Sequence, residues 1–338
     1  MNATMSLEKN IHHPVMLNQV LSIISPQHGG TFIDCTFGGG GFSNAILKFP
    51  RTKVIAFDRD KITEKKAKIL EKKFPDRFNF FQDKFSNLNK AVQQNTNPKA
   101  IIFDLGLSSF QLLDKERGFS FNSENFLNME MGINEFTAYD VINTLDKDFL
   151  ATIIKVLGEE KDGKIIANRI DKYRRKKTIK TSRELANIIK SAKRNYGNYK
   201  KNPATKTFQA IRIFVNKELS ELILGLISAA KLLADGGVLI VISFHSLEDK
   251  IVKNFFNLYS GLRKNPSRYL PISKNEPALF KFISKKPLFP DIKEITKNIR
   301  SRSAKLRYAI RNGNQFFEPE EFKSKFENYF NLEKVRTW

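Results

Sequence analysis

The 338-residue chain holds one cysteine, Cys35, and only four histidines. A lone cysteine excludes an intramolecular disulfide and any cysteine-built metal cluster. Histidines so few and dispersed leave no metal site to propose. Acids are short as well: 35 Asp and Glu stand against 58 Lys and Arg, a formal net charge of +23. An imbalance of that size points to a polyanionic partner, although the abundance of Lys, Asn, Ile and Phe also fits simple AT-rich coding. No apolar run approaches the ~18 residues of a membrane span. The N-terminal MNATMSLEKNIHHPV lacks the apolar core of a secretory leader. These absences predict a soluble cytoplasmic protein with no membrane partner. No internal repeat is visible. Hydrophobic residues, at 41%, suffice for a real core, and the length suits one large domain with an insertion or two domains.

What is present is concentrated between Thr31 and Asp60. An apolar strand, TFIDCTF, runs into four consecutive glycines, Gly38 to Gly41, and a second strand, Val54–Phe57, delivers Asp58. That is the order of a βαβ nucleotide-binding unit, in which an acid roughly 20 residues past the glycine turn holds a ribose hydroxyl. Glycine lets backbone approach a ligand, and the following helix N-terminus favours a negative group. A pyrophosphate satisfies that description, and so does the carboxylate of S-adenosylmethionine. A dinucleotide fold prefers G-x-G-x-x-G; here the glycines are contiguous and Ser43 stands at the usual third-glycine position. The spelling weighs against NAD.

Further strands are predicted at Phe78–Gln82, Ala100–Leu105, Val238–Phe244, Phe280–Ile283 and Ala304–Ile310, with a basic helix over Ile62–Phe74. Unalternated apolar runs suit parallel strands buried on both faces. Ala304–Ile310 alternates, as a half-exposed antiparallel edge strand would. The strand ends carrying Gly38–Gly41, Asp58, Asp83 and Asp104 would meet at one sheet edge, where open α/β folds bind ligands. From Leu113 to Asn202 the pattern turns helical, with cap signals at Thr137, at Asp146 and at Thr181-x-x-Glu184. A helix cap is also expected at Ser246-x-x-Asp249. The predicted organisation is a Rossmann-like α/β sheet (1–112 and 204–312), an inserted all-helical domain (113–203) and a tail (313–338). Two basic stretches, KYRRKK at Lys172–Lys177 and NIRSRSAKLRYAIR, are candidates for phosphate contact, and the insert is the better docking surface.

The ordered stretches HHPVML, DCTFGGGGFS, AFDRD, FDLGLSSFQL, DKERGFSF, NPATKTFQAIRIFVNKEL, GGVLIVISFHSLEDKIVK and RSRSAKLR resemble the bacterial 16S ribosomal RNA cytosine-N4 methyltransferases (RsmH, formerly MraW) from His12 to Arg311. The resemblance implies an S-adenosylmethionine-dependent methyltransferase. Its substrate would be the exocyclic amine of a decoding-centre cytidine in 16S rRNA of the 30S subunit. It also implies cofactor contacts at Gly40, Gly41, Phe42, Asp58, Phe85, Asp104 and Gln111. Departures are visible. Phe42 stands where the family usually has His, Phe110 where it has Pro, and Asn128 and Glu130 where an Asp and an Arg are common.

The residues themselves suggest roles. Asp58 is the ribose acceptor and Phe85 an adenine platform. Asp83 is either an acceptor from the adenine amine or a helix cap. Cytosine N4 is a poor nucleophile because its lone pair is delocalised into the ring, and an acceptor on its N–H helps localise it. Asp104 is the candidate for that role or for a cofactor contact. His245 is a candidate base-pocket residue or a structural hydrogen-bonding group, and His12 and His13 are within reach of the cofactor mouth. A Ser–His–Asp triad from Ser246, His245 and Asp249 is disfavoured, because adjacent residues rarely form one. Two other readings stay open: an NAD(P)-dependent oxidoreductase and a non-catalytic rRNA-binding assembly factor. Monomer and homodimer both remain possible.

Overall fold

Among the described residues, seven short strands form one sheet in the order β3-β2-β1-β4-β5-β7-β6. They are β1 (Gly30–Asp34), β2 (Thr52–Phe57), β3 (Phe78–Phe81), β4 (Ala100–Asp104), β5 (Val238–Ser243), β6 (Phe280–Ile283) and β7 (Lys305–Arg311). The computed structural model describes residues 14–193, 202–260, 278–318 and 320–334. β1 to β5 pair in parallel, and β7 alone among the strands runs antiparallel to its neighbours β5 and β6. β4 and β5 are almost wholly buried because each is a continuous apolar run, AIIFD and VLIVIS. The sheet is Rossmann-like. The chain leaves β1 toward β2 and β3, then returns past β1 to β4, so the order reverses between β1 and β4. Crevices at such a reversal, beyond the carboxyl ends of the strands, are where open α/β sheets bind ligands.

The chain divides into two compact units, 1–106 with 222–323, and 107–221 with 324–338. The first holds the sheet. Its core joins Phe32, Phe37, Phe42, Ile46, Ile102, Ile240 and Leu306. The second holds helices and, among the described residues, no strand. Its extent differs from the 113–203 reading at both ends. It starts at Leu107, and it includes the helix Thr205–Asn216 and the C-terminal helix Glu327–Lys334. Sequence periodicity across Phe208–Leu222 conceals a break. Lys217 takes a left-handed conformation (φ 50°) and separates Thr205–Asn216 from Glu218–Leu232.

Local cap signals translate directly into structure. Thr137 with Asp140 and Thr181 with Glu184 each close a capping box, and Asp146 accepts from the N–H groups of Asp148 and Phe149. The cap at the helix Ser246–Tyr259 is displaced by one residue from expectation. His245 is the N-cap and Glu248 its reciprocal partner. Asp249 instead turns to Arg307 (2.7 Å) and Lys305 (3.0 Å) on β7. β7 also departs from the half-exposed edge strand. It lies between β5 and β6, and Arg307 and Arg311 are buried. Arg311 is held by the carbonyls of Leu279, Asn312 and Asn314.

Candidate active site

Three acids end three neighbouring strands at the point where strand order reverses. Asp34 closes β1, Asp58 follows β2 and Asp104 closes β4. Their environments differ. Asp34 is fully buried, accepts the Ser43 hydroxyl at 2.7 Å and the Thr36 N–H at 3.3 Å, and burial raises its pKa despite those bonds. It is a structural pin tying β1 to the helix Gly41–Leu47. Sequence reasoning assigned it no role, and the pairing with Ser43 is its only sequence signal.

Asp58 is half-buried. Its two oxygens accept from the N–H of Gly38 (2.7 Å) and of Asp60 (2.9 Å). These bonds fix the carboxylate against the glycine turn. Burial nonetheless pushes its pKa up to about 7. Gly38 (φ 51°) and Gly40 (φ 73°) both need the left-handed region. A Cβ on Gly40 would strike the Phe37 ring at 2.8 Å, and one on Gly41 would strike Pro14 at 2.3 Å. The glycines are therefore required first by the protein's own packing. Phe42 points into the core, so no polar side chain stands there, and only its backbone N–H remains at the helix start.

Asp104 is held differently from the other two acids. Its backbone N–H donates to the Thr36 hydroxyl at 2.7 Å, while its buried side-chain Oδ1 has no hydrogen-bond partner among the described residues. Burial, and then the charges of Asp34, Glu248 and Glu294, push its pKa well up. An orphaned acceptor among acids suits a cationic or N–H-donating ligand and opposes an anionic one. Phe85 follows β3, packs edge-on against Phe103 at 5.2 Å and lies over Gly225, where a Cβ would approach its ring to 2.5 Å. Sequence reasoning did not single out Gly225, whose missing side chain leaves room for the Phe85 ring. Asp83 accepts from the Lys84 N–H and the Asn87 side chain (2.7 and 2.9 Å), and the short helix Phe85–Asn87 that follows has no side-chain cap, so the cap reading of Asp83 does not hold.

The other expected residues have partners of their own. His245 caps its helix, its Nδ1 accepting from the Glu248 N–H at 3.5 Å. Gln111 lies in the second unit, where its side-chain carbonyl accepts the Ser108 N–H in a capping box. Asn128 and Glu130 bond each other through side chains at 2.9 Å, a local turn in place of the family's usual pair. In KYRRKK, Arg174 and Arg175 both pair with Asp171, and Lys177 pairs with Glu184. Half of that stretch is thus engaged within the unit itself. His12 and His13 lie outside the described residues.

A crevice lined by acids at the reversal point of a Rossmann-like sheet is the site class of a nucleoside-cofactor enzyme. The chain belongs to the MraW methylase family, whose model matches residues 9–312. Proteins called ribosomal RNA small subunit methyltransferase H are close relatives. That of Ehrlichia canis is 43% identical over 304 residues, covering 89% of this chain and all of the relative. That of Ehrlichia chaffeensis is 43% identical over 306 residues, again 89% of this chain and 100% of the relative. The protein from a Wolbachia strain of Drosophila simulans is 42% identical over 299 residues, 88% and 97% of the two chains.

Proposed function

We propose that the protein methylates the exocyclic N4 amine of a cytidine in small-subunit 16S rRNA, with S-adenosylmethionine as donor. The observation that supports this reading is the Oδ1 of Asp104, which has no partner among the described residues and lies among the charges of Asp34, Glu248 and Glu294. Such a crevice favours a sulfonium cation and an amine N–H and disfavours the pyrophosphate of a dinucleotide. The cofactor, when bound, supplies an electrophilic methyl group. Asp58 accepts from the ribose diol, Phe85 packs on the adenine, and the backbone at Gly40, Gly41 and Phe42 faces the amino-acid end. Asp104 accepts an N–H, either from the cofactor's amino group or from the cytosine amine. In the second case it localises the nitrogen lone pair before attack. Positioning of this kind lowers a barrier by several kcal/mol, up to roughly 7–11 in the best cases. Gln111 joins the cofactor contacts on the strength of the family resemblance. The second unit, 107–221 with 324–338, is the rRNA docking body, and the substrate is the cytoplasmic 30S particle, assembled or late in assembly.

Calorimetry tests the donor. Wild type binds S-adenosylmethionine and not NADH, and Asp58→Ala abolishes the binding. Mass mapping of 16S rRNA from cells lacking the protein tests the acceptor. Loss of one N4-methylcytidine supports the assignment, and retention of every one defeats it.

A further inference from the structure

The segment between β6 and β7 has two faces. One face belongs to the crevice. Glu294, on the helix Ile292–Lys297, accepts the Met16 N–H at 2.7 Å and adds its charge to those around Asp104. Pro14, two residues earlier, abuts Gly41 of the glycine turn. The helix therefore rims the mouth of the methyl-transfer site.

The other face is exposed and has an unusual composition. Phe289 is 60% exposed, Ile292 82% and Ile299 66%. Soluble surfaces carry single apolar residues routinely, but an aromatic and two isoleucines so open and so close in sequence mark a contact surface. Six Lys or Arg and two acids occupy 285–302. Both acids are engaged internally: Asp291 caps the helix through the Glu294 N–H, and Glu294 holds Met16. Lys293, Lys297 and Arg302 are exposed and make no ion pair among the described residues. The backbone beneath is anchored, since Leu288 exchanges both hydrogen bonds with Leu306 of β7 (2.8 and 2.9 Å). Pro287 and Pro290 bracket Phe289 and restrict its backbone further.

Cations interleaved with an open aromatic ring on stiff backbone are the chemistry of single-stranded nucleic-acid binding, in which bases stack and phosphates find lysines. We propose that residues 285–302 form a docking strip for the single-stranded rRNA that flanks the target base, with Phe289 stacking on a base and Lys293 and Lys297 holding phosphates. This rests on the rRNA methylation reading, and adds a contact surface on the sheet-bearing unit itself.

The test measures fluorescence anisotropy of a labelled single-stranded 20-nucleotide RNA with the full chain, wild type against Phe289→Ala and Lys293→Ala/Lys297→Ala. Phe289→Ala weakens binding about tenfold. The double lysine variant flattens the slope of log K against log salt by about 0.7 per lysine. Calorimetry on the same variants shows unchanged S-adenosylmethionine affinity, and thermal melts show an unchanged fold. Unaltered RNA affinity and salt slope in both variants overturn the proposal. A wild-type dimer in sedimentation that Phe289→Ala/Ile292→Ala splits, with RNA affinity intact, also overturns it and makes the strip an interface between copies. Failure of wild type to bind the methyl donor would sink the catalytic reading but leave the RNA measurement decisive for the strip.

Discussion

The hydroxyl of Thr36 accepts the backbone N–H of Asp104 at 2.7 Å, joining the ends of β1 and β4 across the reversal point of the sheet. The bond fixes the Asp104 backbone, while its Oδ1 has no partner among the described residues. Thr36→Val keeps the shape and removes the acceptor. An unsatisfied buried N–H costs about 1–3 kcal/mol. The expected outcome is a lower melting temperature and several-fold weaker S-adenosylmethionine binding, read by calorimetry. Unchanged affinity would show that Asp104 does not depend on this tether.

Asp58 gives a pH dependence. Its carboxyl titrates near 7 in the fold against 3.8 for the free group, so the fold holds the proton more tightly than the unfolded chain. Its stabilising contribution is complete below pH 3.8 and is lost as the pH rises through about 7. Denaturant titrations of the unliganded protein should show stability falling from pH 5 to pH 8. Asp58→Asn should flatten that slope by about 3 kcal/mol at most. Affinity for the methyl donor should run the opposite way, rising toward pH 8 as the carboxylate becomes available to the diol. A wild-type affinity that is flat with pH would refute the assignment of Asp58 to the sugar.

Gly225 tests the aromatic platform. Alanine is the better helix former by about 1 kcal/mol, but its Cβ would approach the Phe85 ring to 2.5 Å and Phe103 to 3.2 Å. Overpacking of this sort costs about 1–3 kcal/mol, so the steric effect wins and Phe85 shifts. Gly225→Ala should raise KM for the methyl donor about tenfold with kcat nearly unchanged. A change confined to kcat would contradict the proposed role of Phe85.

Asp249 anchors β7 to the helix Ser246–Tyr259 through Arg307 and Lys305. Burial alone would raise its pKa, but the two cations hold it below the usual value. Its stabilising contribution is present above pH 3.8 and lost as the pH falls through the depressed value. Asp249→Ala leaves the buried Arg307 without its carboxylate, and loss of one partner of a buried pair costs about 3–5 kcal/mol. Urea titration at pH 7 should reveal that loss, and at low pH the difference between variant and wild type should shrink.

The strands, the glycine turn and most helix caps were legible because each is a local pattern. Thr181 and Glu184 lie within hydrogen-bonding range whatever the rest of the chain does. The cap before the helix at 246 was misread because two acids, Glu248 and Asp249, follow in succession. Only the distant cations on β7 assign Asp249 elsewhere and leave Glu248 to close the box with His245. The partners of KYRRKK, the candidate for phosphate contact, are likewise set by the fold. Asp171 lies just before it and Glu184 beyond it, and the helical turn and the loop bring them onto three of its cations, Arg174, Arg175 and Lys177.

The order of apolar runs and turn residues alone determined an α/β sheet with a ligand crevice at its strand ends, because strand burial and glycine conformation are properties of short segments. Tertiary structure decided which acid became a pin and which was left with an orphaned oxygen. Asp34 and Asp104 both end apolar strands, yet among the described residues only the Asp34 carboxyl accepts a hydroxyl, from Ser43, while the Thr36 hydroxyl reaches only the backbone N–H of Asp104. The same holds in the second unit, where Glu160 and Lys193 form a buried pair at 2.6 Å across 33 residues of sequence. The chemistry of a buried acid depends on its neighbours in space, and folding chooses them across separations that no local pattern encodes.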